Sequence, residues 1–308
     1  MRVAVLADIH ANLIALEAVL RDVDRQGVDG MIVAGDSTGG PQQQEVIRRL
    51  RGLGSWMIRG NGEDYLVAYD TARPNDVWQQ SPQWAPLRWF YRQLDREMLD
   101  FITSLPEQRV VSMDDTPLIR VVHGSPRDVN EHMIPEGDPL AVRAFRQAGL
   151  LGAGVSPKPL GQHLTDVPEP VLVCGHSHIP WLQRLEGQLV LNPGSVGAPI
   201  NGDPRAQYAV LSWHKGAWSV TPRAIPYDLK RVRSVFRSSG LLEEGGAFAL
   251  ACLRNVETGL NYAGFFVSHV ERLAAASGLD PSKTVPDELW ARAVESFDWG
   301  GIADRVSF

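Results

Sequence analysis

Residues 2–7, RVAVLA, run apolar for about the length of a strand buried on both faces. The period then changes. Leu13, Leu16, Val19, Leu20 and Val23 recur at helical spacing through ANLIALEAVLRDVDRQG, and Gly27 supplies a C-terminal stop. MIVAGD predicts a second strand, EVIRRLRGLG a second helix and SWMIRGN a third strand. This rhythm of strands and helices predicts an α/β fold with helices on the faces of a sheet.

Residues 70–105 break the rhythm with three tryptophans and several prolines, and a helix is predicted near Leu87–Leu105. The segment reads as an insertion or lid near the sheet edge. Its aromatic residues read as helical core ahead of a ligand-stacking platform. Strands resume with PLIRVVHGS, VLVCGHSH, WLQRLEGQLVLNPGS and AQYAVLSWHKGAWSVTPRAIP, the last with hairpin character and Lys215-Gly216 at its turn. From Asp228 the helical period returns through Leu229, Val232, Val235 and Phe236, and Gly240 closes it. Residues 1–240 therefore read as the principal domain. Residues 241–308 read as a mostly helical extension, broken by Gly259, Gly278 and Pro286 and packed on the parent core.

Composition narrows the setting. The 308 residues are 44% hydrophobic and 21% charged, with a mean hydropathy of −0.15, as expected of a globular chain. No apolar stretch approaches the roughly 18 residues that span a bilayer, so no membrane partner is expected. Cys174 and Cys252 are too few for a disulfide framework, and the expected location is the cytoplasm. A net charge of −6 argues against a broad duplex-binding surface, but leaves small phosphoesters, nucleotides and short or single-stranded nucleic acid open as partners. Homo-oligomerisation is also left open.

The chemistry collects where strands end. Asp8 and His10 follow the first strand, Asp36 the second and Asn61 the third; His123 follows PLIRVV, and His176 and His178 follow VLVCG. Ligands of open α/β sheets bind beyond the carboxyl ends of the strands, so these seven side chains can meet in one crevice. Asp8 and His10, two apart, are expected to project to one side of an extended chain. Four imidazoles, two carboxylates and an amide suit Mn, Fe, Zn, Ni or Co; the ligand set does not choose among them, and manganese is taken as the expected ion. Two such ions roughly 3.5–4 Å apart would form the clamp of phosphoryl-transfer hydrolases, with a hydroxide between them as nucleophile. Each motif alone reads more simply as a turn or a hydrogen-bonded loop histidine; their ordered conjunction carries the weight.

D-x-H, G-D, G-N-x-[DE], a strand-terminal H and G-H-x-H together resemble the calcineurin-like metallophosphoesterase superfamily. The chain is most similar to its small prokaryotic phosphodiesterase-type members through GDSTGGPQQQEVI, HGSPRDVNEHM, LNPGSVGAP and NGDPRAQYAVL. The resemblance covers residues 1–237 and implies a sandwich of two mixed β-sheets flanked by helices. It implies one metal on Asp8, His10, Asp36 and His178, and a second on Asp36, Asn61, His123 and His176, with Asp36 bridging. Asp8, Asp36, Asn61 and His123 are thereby implied in catalysis. Arg59, Ser125, Arg127 and Asn192 adjoin these motifs as candidate phosphate binders, with ordinary loop hydrogen bonding an equal alternative. His132 reads as structural, and Cys174 as core.

One position departs from the family. The residue after the motif asparagine is often a histidine thought to help protonate the leaving group; here it is Gly62. General-acid help is typically worth about 10²–10⁴-fold. Its loss points to a phosphodiesterase or nucleotide phosphohydrolase, with Gly62 leaving room for the second ester arm. The opposing reading is that Gly62 merely permits a tight turn. A phosphomonoesterase or protein phosphatase, a nuclease, and a binding scaffold without catalysis are the alternatives.

Overall fold

The computed structural model describes residues 1–71, 76–152 and 154–302, so parts of the 70–105 segment and of the 241–308 extension lie outside the described residues. Ten strands are arranged in two mixed five-stranded sheets. The first holds β1 (Arg2–Leu6), β2 (Gly30–Ala34), β3 (Trp56–Ile58), β9 (Ala206–His214) and β10 (Ala217–Ile225), in the order β10-β9-β1-β2-β3. The second holds β4 (Arg109–Val111), β5 (Ile119–Val121), β6 (Val171–Val173), β7 (Trp181–Leu185) and β8 (Gln188–Asn192), in the order β4-β5-β6-β8-β7. β1, β2 and β3 run parallel, as do β5, β6 and β8; β9 and β7 are antiparallel to their inner neighbours.

The continuous apolar runs follow from burial on both faces. Val3 and Val5 point between the sheets, where they join Ile32, Val121, Val173 and Leu191. Ala4 and Leu6, alternating with them, face α1 (Leu13–Gln26) and α2 (Gln43–Arg51) through Leu16, Val19 and Leu50. Each such buried aliphatic side chain contributes about 1.5–3 kcal/mol. Asn12 caps α1 by accepting from the Ala15 N–H at 3.1 Å, and Gly27 ends it in the left-handed conformation. The β9–β10 turn falls at Lys215-Gly216, both at positive φ. The outer face of the second sheet is covered by α7 (Pro139–Gln147) and α8 (Leu160–Leu164) through Phe145 and Leu160. Neither helix, nor β4, was among the elements expected from the sequence, although α7 carries an amphipathic period and an Asp138-Pro139 start.

The interrupting segment differs from its expectation in two respects. Helix α3 (Asn61–Thr71) starts it earlier, and α4 (Asp76–Gln80) follows. In place of one helix near Leu87–Leu105 there are α5 (Ala85–Arg92) and α6 (Arg96–Ser104), because Asp95 turns out of the helix and caps α6 by accepting from the Met98 N–H at 2.9 Å. After α9 (Leu229–Ser238) come α10 (Leu241–Thr258), α11 (Tyr262–Ala276) and α12 (Asp287–Ser296). Helix α10 packs on α5 through Trp89, Leu241, Ala249 and Leu253, close to Ala198. Trp84 donates its indole N–H to Thr284 at 2.9 Å, Ser81 bonds Asp287 at 3.2 Å and Arg92 pairs with Glu244. The segment after β3 and the C-terminal helices are thus fastened to one another. No helix among the described residues is long and apolar enough to cross a membrane.

Candidate metal centre

Asp8 and His10 leave the end of β1, Asp36 the end of β2, Asn61 the turn after β3, His123 the end of β5, and His176 and His178 the end of β6. The two sheets bring all of these strand ends to one edge. The local conformation is not the expected extended one. Asp8, His10, Asp36, His176 and His178 all take positive φ, between 46° and 64°. They are five of the nine such non-glycine residues among those described. Each costs about 1–2 kcal/mol in an L-residue. D-x-H and H-x-H therefore converge by left-handed turns and not by strand alternation, and the strain is concentrated at the site.

A mesh of hydrogen bonds holds these turns. The N–H groups of Asp8 and His10 donate to the carbonyls of Gly35 and Asp36, at 3.1 and 2.9 Å. The His176 N–H reaches the Asp8 carboxylate at 3.0 Å, tying one sheet to the other. Gly60 has to be glycine for space, since a Cβ would lie 2.2 Å from Asp36 Oδ1. Gly62 is different. It is helical with ordinary φ, and a Cβ would stand 3.1 Å from Asp36 Oδ1. No turn requires glycine there; its N–H donates to Asp36 Oδ1 at 2.7 Å.

Asp8, His10 and His178 bring donor atoms within 4.8 Å of one another, as do Asp8, Asp36 and His123. Asp36 faces both groups: Oδ2 lies 3.7 Å from His10 Nε2 and Oδ1 lies 3.5 Å from His123 Nε2. Asn61 Oδ1 is 3.0 Å from His123 Nε2. The His176 ring centre lies 5.2 Å from that of His123, and its other face stacks on His132 at 4.4 Å.

The protons on these rings can be placed. His123 Nδ1 sits 2.8 Å from the Ala34 carbonyl, His178 Nδ1 2.6 Å from that of Ala198, and His176 Nε2 3.0 Å from that of Asn130. A carbonyl only accepts, so each of these nitrogens donates; on His176 and His178 the other nitrogen presents its lone pair, whereas His123, charged beside Asp36 and Asp8, turns its Nε2 toward Asn61 Oδ1. His10 Nε2 faces the lone pair of His178 Nε2 at 3.0 Å, with Asp8 Oδ1 only 3.4 Å from His178 Nε2. Lone pairs and carboxylates crowded in this way are stable around a cation. A ligating histidine whose outer N–H is held by a carbonyl is also the usual support of a metal site. The residues fit the group.

The titration behaviour has the same origin. Burial pushes His178 down to about 3 and His176 down to about 2, so both remain neutral donors. Burial raises the Asp8 carboxyl well above the usual range. Burial would also lower His123, but Asp36 and Asp8 outweigh it and push that ring up to about 10. Burial would raise Asp36, but His123 holds it well below the usual range.

Glu63 completes the site, and its role was not drawn from the sequence. Fully buried, it accepts from the Asp36 N–H at 2.9 Å, the Thr38 N–H at 2.9 Å and the Gly60 N–H at 2.8 Å, and from the Thr38 hydroxyl at 3.0 Å. It binds the loop after β2 to the start of α3. The available signal was its place at the third position of α3, where a glutamate reaches back to the preceding N–H.

The candidate phosphate binders point elsewhere. Arg59 pairs with Asp64 at 3.1 Å and Glu107 at 3.1 Å. The Ser125 hydroxyl donates to Glu131 at 2.6 Å, and Arg127 pairs with the same carboxylate at 3.0 Å. Asn192, buried, donates to the Gly175 carbonyl and to Ser177 Oγ, bracing the H-x-H turn. None of the four lines the cavity above the site, whereas Gly62 does. Their attachment to protein partners, invisible in the sequence, is the reason. Cys174 is buried in the core and burial raises its thiol, so it is no nucleophile.

A cavity of about 450 Å³ opens over His10, Asp36, Asn61, His176 and His178. Its other walls come from α3, α5, α10 and α11.

Comparison with known proteins agrees with this geometry. The chain is 25% identical over 249 residues to an uncharacterized protein of Methanocaldococcus jannaschii, covering 74% of this chain and 89% of that one. A crystal structure of a metallophosphoesterase from Sphaerobacter thermophilus is similar with a TM-score of 0.62 and 27% identity, over 84% of this chain and 99% of that one. A hypothetical protein from Pyrococcus horikoshii OT3 shares the fold, with a TM-score of 0.61, 20% identity and coverage of 84% and 98%. The sequence profile of the calcineurin-like phosphoesterase superfamily domain matches residues 1–216, and the chain belongs to that superfamily.

Proposed function

We propose that the chain is a phosphoester hydrolase dependent on two divalent metal ions, acting on phosphodiesters or nucleotides in preference to simple monoesters. The observation that carries this reading is the pair of imidazole nitrogens facing each other at 3.0 Å between two buried carboxylates. Asp8, His10, Asp36 and His178 would hold one ion; Asp36, Asn61, His123 and His176 would hold the other. Two divalent cations, when bound, supply Lewis-acid charge for the phosphoryl oxygens and lower the pKa of a water. The protein's part is to keep His176 and His178 neutral, to fix their lone pairs through the carbonyls of Asn130 and Ala198, to orient His123 through that of Ala34, and to present Asp36 to both donor groups. Gly62 brings no imidazole to protonate a leaving oxygen, which favours stable leaving groups.

The test pairs bis(p-nitrophenyl) phosphate with p-nitrophenyl phosphate after stripping metal and adding Mn²⁺. Diester preference lost in Asp36→Ala supports the reading. No turnover of either ester with any first-row metal removes it in favour of a binding scaffold. In Gly62→His the diester-to-monoester rate ratio is expected to fall; an unchanged ratio means that the glycine does not set selectivity.

A further inference from the structure

The cavity above the metal centre has a polar floor and an apolar roof. Trp84, Leu87 and Phe90 line it from one side, and Phe248, Val256 and Val267 from the C-terminal helices. No lysine or arginine is among the described residues that line it. The amides near the roof are partly engaged by the fold. Asn255 accepts from the Ala263 N–H at 3.0 Å, Asn261 donates to the Ala148 carbonyl at 2.9 Å, and Gln83 accepts from the Val285 N–H at 3.2 Å. Cys252 is kept a thiol by burial, which pushes it up to about 12. Two lining residues stay open to solvent, Tyr65 at 41% and Val267 at 38% exposure.

A polyphosphate chain needs cationic side chains for each further phosphoryl group, and this roof has none. We infer that the site selects a phosphoester carrying one negative charge at the metal floor and a bulky aromatic or other apolar arm under the roof of α5, α10 and α11. The inference rests on the hydrolase reading for its anionic end only. It narrows the substrate class to diesters with an apolar arm, and sets aside polyphosphates.

The experiment separates the two claims by using probes that have no ester bond. Diphenylphosphinate and dimethylphosphinate carry the same charge and differ only in their arms. Titration calorimetry on the Mn²⁺-loaded protein is expected to show diphenylphosphinate bound at least about tenfold more tightly. Phe248→Ser and Val267→Ser should each cut that ratio severalfold with dimethylphosphinate binding unchanged; Val267, already half in solvent, can be replaced without loss of the fold. A ratio near one in the wild type, or the same ratio in both variants, overturns the assignment of the roof. Turnover of bis(p-nitrophenyl) phosphate without a phosphinate preference removes the roof assignment and leaves the hydrolase. A phosphinate preference without turnover of any ester does the reverse.

Discussion

Two buried acids on neighbouring elements of the first sheet layer have opposite surroundings. Asp22, on the inner face of α1, accepts from Tyr208 at 2.7 Å and from Arg25 at 2.9 Å, and is paired with Arg223. Burial would raise its carboxyl, but these partners hold it down at about 2. Asp8, at the end of β1, has no arginine or lysine partner among the described residues. It meets a second carboxylate, His178 with its lone pair turned inward, and one charged ring, His123, shared with Asp36; burial still raises it. A charge matched within the chain is architecture. A charge cluster left unmatched, and braced so that it stays unmatched, is a place for ions from outside.

The largest effect expected from breaking this contrast is that of Asp36→Ala. Losing a carboxylate that faces both donor groups should remove several kcal/mol of Lewis-acid stabilisation, on the order of 10³-fold or more in kcat/KM on bis(p-nitrophenyl) phosphate. Asp22→Asn, far from the site, should leave that constant unchanged; a comparable loss in both would erase the distinction.

Next in size is the response to metal. Mn²⁺ at about 100 times its Kd should stabilise the wild type by about 2.7 kcal/mol, seen as a rise of several degrees in Tm. Asp8→Asn should abolish the rise. Without metal it should melt no lower than the wild type, because burial already penalises the Asp8 charge. A clearly lower Tm for the metal-free variant would mean that Asp8 is satisfied by the protein, as Asp22 is.

Glu63→Gln sharpens the contrast from within the site. It keeps the shape but loses the charge that gathers four donors, and metal affinity should weaken about 10–100-fold by calorimetric titration. Unchanged affinity would reduce Glu63 to a helix cap.

The smallest effect belongs to Asp22→Asn itself, a loss of about 1–2 kcal/mol at neutral pH by urea unfolding. The folded pKa is depressed, so the Asp22 contribution is complete above the unfolded carboxylate value near 4 and is lost as pH falls through about 2. The difference between wild type and variant should close over that window. A constant difference down to pH 2 would assign it to packing.

Much of this was written in the order of residues. The two-faced apolar runs at Arg2–Leu6 and Gly30–Ala34 became inner strands, and Lys215-Gly216 marked its hairpin, because period and turn chemistry are local properties. The site residues were legible as polar residues following apolar runs. β4, α7 and α8 were not. β4 and α8 are short and β4 is half exposed, so neither period nor composition distinguishes them; α7 had a signal in its amphipathic period and its Asp138-Pro139 start that went unread. The division between α5 and α6 turned on one side-chain cap at Asp95.

By itself, then, the sequence determined the α/β strand plan and the set of nitrogen and oxygen donors at its strand ends. Tertiary structure decided what those donors do. Left-handed turns, and not strand alternation, aim Asp8, His10, His176 and His178, and carbonyls distant in the chain choose which imidazole nitrogen keeps its lone pair. Partners distant in sequence drew Arg59, Arg127 and Asn192 away from the cavity. The apolar roof exists only because the helices after β3 and the C-terminal helices fold onto one another. Hydrophobic period and turn propensity act over a few residues, whereas the direction of a lone pair and the lining of a cavity are set by groups that only the folded chain brings within a few ångströms.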